Sequence, residues 1–325
     1  MCSPLSLLAN PSFYATIMHC LGSIELPIHL FCGFIILIKT PPIMQSVKYP
    51  LLYYHFWCSI LDLLITLLIT PYPLLPELAT FPLGFLRHLG VSMANQIFVY
   101  STTCYMVGVS LIGIFENRFS AIANPRRFCR HWDLLHYLFL ITNHLLAITF
   151  PLPIYLMLPD QVIARDELIK KRQCLSEAED ILVIGTDDLV IRIMLFFNLP
   201  LIIVLSFQIF LYLSFTIGIL VLDSKKRIIS PTTLTLRKKF FTAILIQLSI
   251  PFLVMVGPFL CGVSALVLDF RIQELSNFAF LVTSTHGLVS SLVILMIHKT
   301  YRYETLKFFR KSEVRIWESP LVASK

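Results

Sequence analysis

Two carboxylates in this chain sit where a carboxylate is costly. Glu25 lies about 11 residues into an apolar run that begins near Tyr14, and Asp62 about 11 residues into another that begins near Leu51. Runs of this length span a bilayer, so both acids fall near its midplane. There an ionisable group costs a few kcal/mol or more unless it is paired, hydrated or neutralised, which makes it a functional candidate by default. His29 follows Glu25 at i+4 and shares its helix face. Pro27 lies between them and can kink the helix, exposing backbone carbonyls. The chemistry open to Glu25, His29 and Asp62 is that of an intramembrane polar switch rather than ligand contact. The plainer alternative is a neutral carboxylic acid satisfied by a neighbouring Ser, Thr or His. His286, in Thr283-Ser284-Thr285-His286-Gly287, is near mid-depth of a further run. It can line a cavity or bond a facing helix.

These residues need helices to position them, and composition supplies the setting. Of 325 residues, 57% are apolar and only 14% charged, with a mean hydropathy of +0.79. Soluble domains carry about 25% charged residues. Too few charges remain here to cover a hydrated surface, which excludes a soluble enzyme, a disordered regulator and a nucleic-acid binder. Seven segments are long and apolar enough to cross: about 14–38, 51–70, 91–115, 134–158, 189–221, 241–268 and 278–297. The expected fold is an all-α membrane protein, a seven-helix bundle. The fifth segment is longer than a bilayer requires and projects beyond one face or tilts. No cleavable signal peptide is expected, since a basic region before the first run is missing.

Basic residues orient the bundle. With the N-terminus (1–13) outside, the inner segments 39–50, 116–133, 222–240 and 298–325 carry 19 Lys and Arg against 6 in the outer segments. Cytoplasmic loops carry such an excess. The net charge of +7 then reflects basic residues facing anionic lipid, not a nucleic-acid surface. At the inner end of the third helix, Glu116 and Arg118 can pair and hold a closed state. Lys225, Lys226, Arg227, Arg237, Lys238 and Lys239 precede the sixth helix, suited to a G protein or to lipid headgroups. From Lys299 onward, aromatics and Leu306 interleave with cations, which reads as a short helix in the interface plane within the tail 299–325.

A small-molecule ligand fits best in the outer half of the bundle. Gln96, Tyr100 and Thr103 recur at i, i+4, i+7 on the third helix. Phe196, Phe197 and Asn198 lie in the outer half of the fifth, Ser264 in the sixth, and Thr283 and His286 in the seventh. An apolar pocket with few polar groups suits a small, largely apolar molecule. Gly257, Cys261 and Ala265 at i, i+4, i+8 predict close helix packing in the sixth span. Pro200, Pro251 and Pro258 are expected to bend their helices.

Several activities lack their residues. No CxxC pair exists among the eight cysteines, so no zinc or dithiol site is expected, and neither a metal nor a cofactor is predicted. Without a lysine inside the seventh span a retinal Schiff base has no nucleophile. His-Glu-x-x-His, Gly-x-Ser-x-Gly and paired midplane aspartates are all missing, so no enzyme is expected. Cys174 stands in the outer segment 159–188 and can form a disulfide; Cys2, Cys20 and Cys261 are its candidate partners. Asn10-Pro11-Ser12 is blocked as a glycosylation sequon by its proline. No cysteine follows Cys261, which excludes palmitoylation of the tail helix. A channel or transporter is the rival reading, since midplane acids can serve ions. Internal repeats of the spans are not seen, however, and an odd number of helices suits inverted repeats poorly. Nothing in the sequence specifies an oligomer.

Residue by residue, the chain resembles the nematode serpentine chemoreceptors of class H, the Srh group. The likeness runs through Glu25-Leu26-Pro27-Ile28-His29, Lys39-Thr40-Pro41, Leu51-Leu52-Tyr53-Tyr54-His55-Phe56-Trp57 to Asp62, and Phe81-Pro82-Leu83-Gly84. It continues in Phe115-Glu116-Asn117-Arg118, in Pro151-Leu152-Pro153 to Pro159-Asp160-Gln161, in Thr285-His286-Gly287 and in His298-Lys299-Thr300-Tyr301-Arg302. The resemblance implies a receptor in the ciliary membrane of chemosensory neurons that detects small environmental molecules and signals through a heterotrimeric G protein. Three features depart from related patterns. Glu-Asn-Arg replaces the Asp/Glu-Arg-Tyr of the large rhodopsin-like class, that class's Asn-Pro-x-x-Tyr is missing, and Thr300 stands where class H has proline.

Overall fold

The computed structural model describes residues 6–127, 129–171, 180–185, 188–226, 230–268 and 272–317. In chain order its helices are α1 Pro11–Lys39, α2 Gln45–Leu63, α3 Met93–Ala123, α4 Trp132–Thr149, α5 Leu152–Leu156, α6 Gln161–Lys171, α7 Asp188–Lys226, α8 Pro231–Val267, α9 Gln273–Ser284, α10 His286–Ile297 and α11 Lys299–Trp317. Each apolar run has become helical because backbone in hydrocarbon must satisfy its N–H and C=O groups internally. Starts are fixed by local caps. Asn10 accepts from the Ser12 and Phe13 amides, Ser92 from Asn95 and Ser230 from Thr233.

Helices overrun the predicted segments where polar residues follow apolar ones. α3 continues past residue 115 to Ala123, and α8 begins at Pro231 rather than near 241. Outside the hydrocarbon polar side chains carry no transfer penalty, so the backbone ladder runs on until a stop signal. For α3 that signal is Asn124, in the left-handed region at φ 47°. The last turn of α2 widens into a π-helical turn, Leu64–Leu68. The seventh span is interrupted: α9 ends at Ser284 and α10 starts at His286.

α2 is the central element, packed against α1, α3, α9 and α10. Tyr14, Met18, Ile35, Tyr54, Cys58, Leu61 and Phe115 fill the core between them. α4 and α7 present the opposite chemistry outward. Leu134, Leu138, Ile141 and Leu145, with Ile203, Phe207 and Phe210, are exposed. Such a surface belongs against lipid, not water.

Two connections read in the sequence only as outer segments carry their own structure. β1 Pro71–Leu74 and β2 Ala79–Pro82 form an antiparallel hairpin, with Tyr72 opposite Phe81, and β3 Leu182–Val183 pairs antiparallel with β2. Every residue of the three strands is buried. The hairpin is tied down from several sides. Tyr14 Oη donates to the Pro71 carbonyl (3.2 Å), Tyr72 Oη to that of Ala9 (2.6 Å) and Gln273 Nε2 to that of Pro73 (2.7 Å). Gln161 of α6 holds β3 at both backbone groups of Val183, donating at 2.9 Å and accepting at 3.0 Å. Gln161→Ala is therefore expected to release β3 at a local cost of about 1–2 kcal/mol. Faster amide exchange at Leu182 and Val183, with the bundle's unfolding midpoint little changed, is the measurement that checks this.

Candidate functional site

The site is built on Asp62, which is fully buried. The interruption at Thr285 explains how it is held. A new helix start leaves the first amides of α10 without intrahelical partners and gives that end a partial positive charge. Those amides point at the carboxylate: Gly287 N donates to Oδ1 at 3.2 Å and Leu288 N to Oδ2 at 2.8 Å. Two imidazoles complete the surroundings. His286 Nδ1 is 2.8 Å from Oδ1, and His29 Nε2 is 3.3 Å from Oδ2. Asp62 thereby joins α1, α2 and α10 at one point.

Neighbouring polar groups extend the cluster. Ser291 Oγ contacts His29 Nδ1 at 3.1 Å and His55 Nδ1 at 3.3 Å, and donates to the Gly287 carbonyl at 2.7 Å. His55 Nε2 meets the His29 carbonyl at 2.9 Å, and the Thr66 hydroxyl donates to the Asp62 carbonyl at 2.7 Å. Glu25 is fully buried beside His29 and Asp62. His286 thus bonds a facing helix instead of lining a cavity with the other candidate ligand residues. His55, Thr66 and Ser291 escaped the sequence reading because their partners are on other helices or at backbone atoms. The one available signal was the spacing of His55 and Asp62 at i, i+7 on α2.

A separate cavity of about 270 Å³ lies among α3, α8, α9 and the hairpin turn. Leu75, Tyr100, Pro258, Cys261, Phe280 and Thr283 are among its lining residues, and Tyr100 and Phe280 face each other at 6.5 Å between ring centroids. Of the residues predicted for a pocket, the structure places Tyr100 and Thr283 here. Gln96 and Thr103 are buried elsewhere on α3, bonded to the Val91 and Val99 carbonyls. Ser264 is exposed and its hydroxyl bonds its own helix at Leu260. Phe197 and Asn198 lie on α7, with side chains outside those described. α8 packs against α9 and α10. A β-carbon on Gly257 meets none of the described atoms within 4 Å, and Cys261 and Ala265 line the cavity.

At the basic end, Glu116 does not pair with Arg118. Residues two apart on a helix point to different sides. Glu116 instead accepts from Ser120 (2.6 Å) and lies 3.1 Å from His136 Nδ1 of α4. Arg118 lines a second cavity, about 200 Å³, with Arg237 and Phe241, and Arg237 pairs with Asp223 of α7 at 3.1 Å. His298 is buried here, and burial with the Arg118 charge nearby holds its pKa down to about 4. Lys225, Lys238 and Lys239 are exposed; the side chain of Lys226, and Arg227 altogether, lie outside the described residues. α11 leans on α1 through Phe308 and Phe31 (5.2 Å), Thr40 and Tyr301 (2.8 Å), and Lys39 and Glu304 (3.3 Å). Cys20 and Cys261 are free thiols, and Cys2 and Cys174 lie outside the described residues.

Comparison with known proteins agrees with this architecture. A family model described as "Serpentine type 7TM GPCR chemoreceptor Srh" matches residues 9–311. "Serpentine receptor class H-72" of Caenorhabditis elegans is 29% identical over 302 residues, covering 90% of this chain and 84% of that protein.

Proposed function

The chain belongs to the Srh family of serpentine seven-transmembrane chemoreceptors, and we propose from that membership how it senses and signals. The ligand is a small, largely apolar environmental molecule, and it enters the cavity beneath the hairpin. The observation that carries this reading is the cavity itself: aromatic and aliphatic walls with few polar groups, Ser276 and Thr283 among them. α9 links cavity to cluster. Thr283 lines the former, and His286, three residues on, contacts Asp62. A ligand that favours one position of α9 therefore biases the joint at Asp62, and the response is a shift in population between two arrangements of the bundle.

The N-terminus lies outside and the basic end faces the cytoplasm, as the Lys and Arg bias supports. There a heterotrimeric G protein docks between α3, α7 and α8, against Arg118, Lys225, Lys238 and Lys239. Glu116 positions α3 against α4 through His136. The receptor acts in the ciliary membrane of chemosensory neurons.

Tyr100→Ala and Phe280→Ala test the pocket. Each removes an aromatic side chain from an apolar wall, worth roughly 1–3 kcal/mol. An activating molecule found by screening should lose about 10–100-fold in potency at either variant with surface expression unchanged, since 1.4 kcal/mol is tenfold. Full potency at both variants would place the ligand elsewhere.

A further inference from the structure

The cluster around Asp62 contains a second buried acid, Glu25. Glu25 is at the centre of α1, and among the described residues neither of its carboxylate oxygens has a hydrogen-bond partner. The Thr66 hydroxyl beside it gives its single proton to the Asp62 carbonyl. His29 Nε2 lies 3.3 Å from Asp62 Oδ2. The Ser291 proton goes to the Gly287 carbonyl at 2.7 Å, so Ser291 Oγ accepts from His29 Nδ1 at 3.1 Å. This puts a proton on His29 Nδ1 and leaves Nε2 turned toward Asp62 Oδ2.

The ligand atoms of Glu25, His29 and Asp62 all fall within 4.8 Å of one another. We propose that these three residues bind a divalent transition-metal ion of the zinc or manganese type inside the helix bundle. Charge selects the valence. Two carboxylates buried in a medium that solvates ions poorly are neutralised by one divalent cation. Donor type selects the element: calcium and magnesium take oxygen ligands, whereas an imidazole nitrogen with carboxylates suits zinc, manganese and their neighbours. Bonds of about 2.0–2.2 Å require the three side chains to draw together around the ion. Ser291 is the outer partner that metal-bound histidines have on their second nitrogen. Amides of α10 and His286 hold Asp62 from its other sides, so the ion fastens α1 to α2 at the joint with α10.

The test uses the full chain in lipid nanodiscs, stripped with a chelator and titrated with Co²⁺ as a spectroscopic probe. Expected are one ion per chain, visible absorption of a nitrogen–oxygen ligand set, displacement by Zn²⁺ and a metal-dependent rise in the unfolding midpoint. Glu25→Gln keeps the shape and removes the charge, and should weaken binding by roughly 100-fold or more; Ser291→Ala should weaken it roughly 10–100-fold. No metal-dependent absorption or midpoint shift in the wild type overturns the proposal. So does wild-type affinity in Glu25→Gln, which would assign the ion to another site. If Glu25→Gln does not fold, Ser291→Ala decides, and unchanged affinity there overturns the proposal equally.

Discussion

Replacing Asp62 by alanine is expected to destabilise the folded receptor by about 3–5 kcal/mol, the scale on which buried charge partners are lost when one member is removed. Four groups converge on its carboxylate: the Gly287 and Leu288 amides and the His286 and His29 imidazoles. All are buried or nearly so, and alanine offers none of them an acceptor. Each stranded donor then carries its desolvation cost of roughly 1–3 kcal/mol. The α10 amides are hit hardest, because the interruption at Thr285 has already removed their intrahelical acceptors. Asp62→Asn retains one carbonyl oxygen and should fall between wild type and alanine. Unfolding midpoints in detergent, with surface expression in cells, give the order. Equal stability of wild type and Asp62→Ala would mean that this cluster does not hold the bundle together.

Gly287→Ala is expected to damage the same joint from the other side. A β-carbon there lies 2.5 Å from Asp62 Oδ2, 2.8 Å from its Cγ and 2.8 Å from the Cys58 carbonyl oxygen. Neither neighbour can swing away, since the carboxylate is held by two amides and the carbonyl is backbone. Overpacking of this kind costs about 1–3 kcal/mol, and pushing α10 off α2 also weakens the two amide bonds. Gly113→Ala is the matched control. Its β-carbon meets none of the described atoms within 4 Å, so the gain in helix propensity of up to about 1 kcal/mol is expected instead. Midpoints that fall for Gly287→Ala and hold or rise for Gly113→Ala would show that close approach, not backbone freedom, requires the glycine. Equal midpoints would refute it.

Much of this was legible in the residues. The seven apolar segments were, because a helix that crosses lipid must be apolar along its whole length, and that constraint is written contiguously in sequence. Glu25, His29 and Asp62 were legible for the complementary reason: an acid in an apolar run violates its surroundings, and only a partner or a function explains it. The depth of His286 is legible too, but its partner is not. Glu116 and Arg118 show how nearness in sequence misleads, since residues two apart diverge and Glu116 finds His136 on another helix.

The predicted pocket divided on the same principle. Tyr100 and Thr283 face the cavity, whereas Ser264, equally polar and in the outer part of its helix, points away with its hydroxyl bonded to its own backbone. Depth along a helix follows from counting; rotation about its axis depends on what the neighbouring helices require. The hairpin at 71–82 was invisible for a related reason. Its strands are short, and their burial comes from Tyr14, Ala9 and Gln273, which are distant in sequence.

The sequence by itself determined that this is a seven-helix membrane protein, roughly where each helix runs, and which residues lie too deep in lipid to be idle. Those properties follow from transfer free energies, which each segment carries independently of the others. Only the tertiary structure decided that the seventh span breaks at Thr285, that the freed amides meet Asp62, and that Glu25 and His29 converge on the same point. Those are matters of register and rotation between helices, set by packing across the bundle, and no single segment contains them.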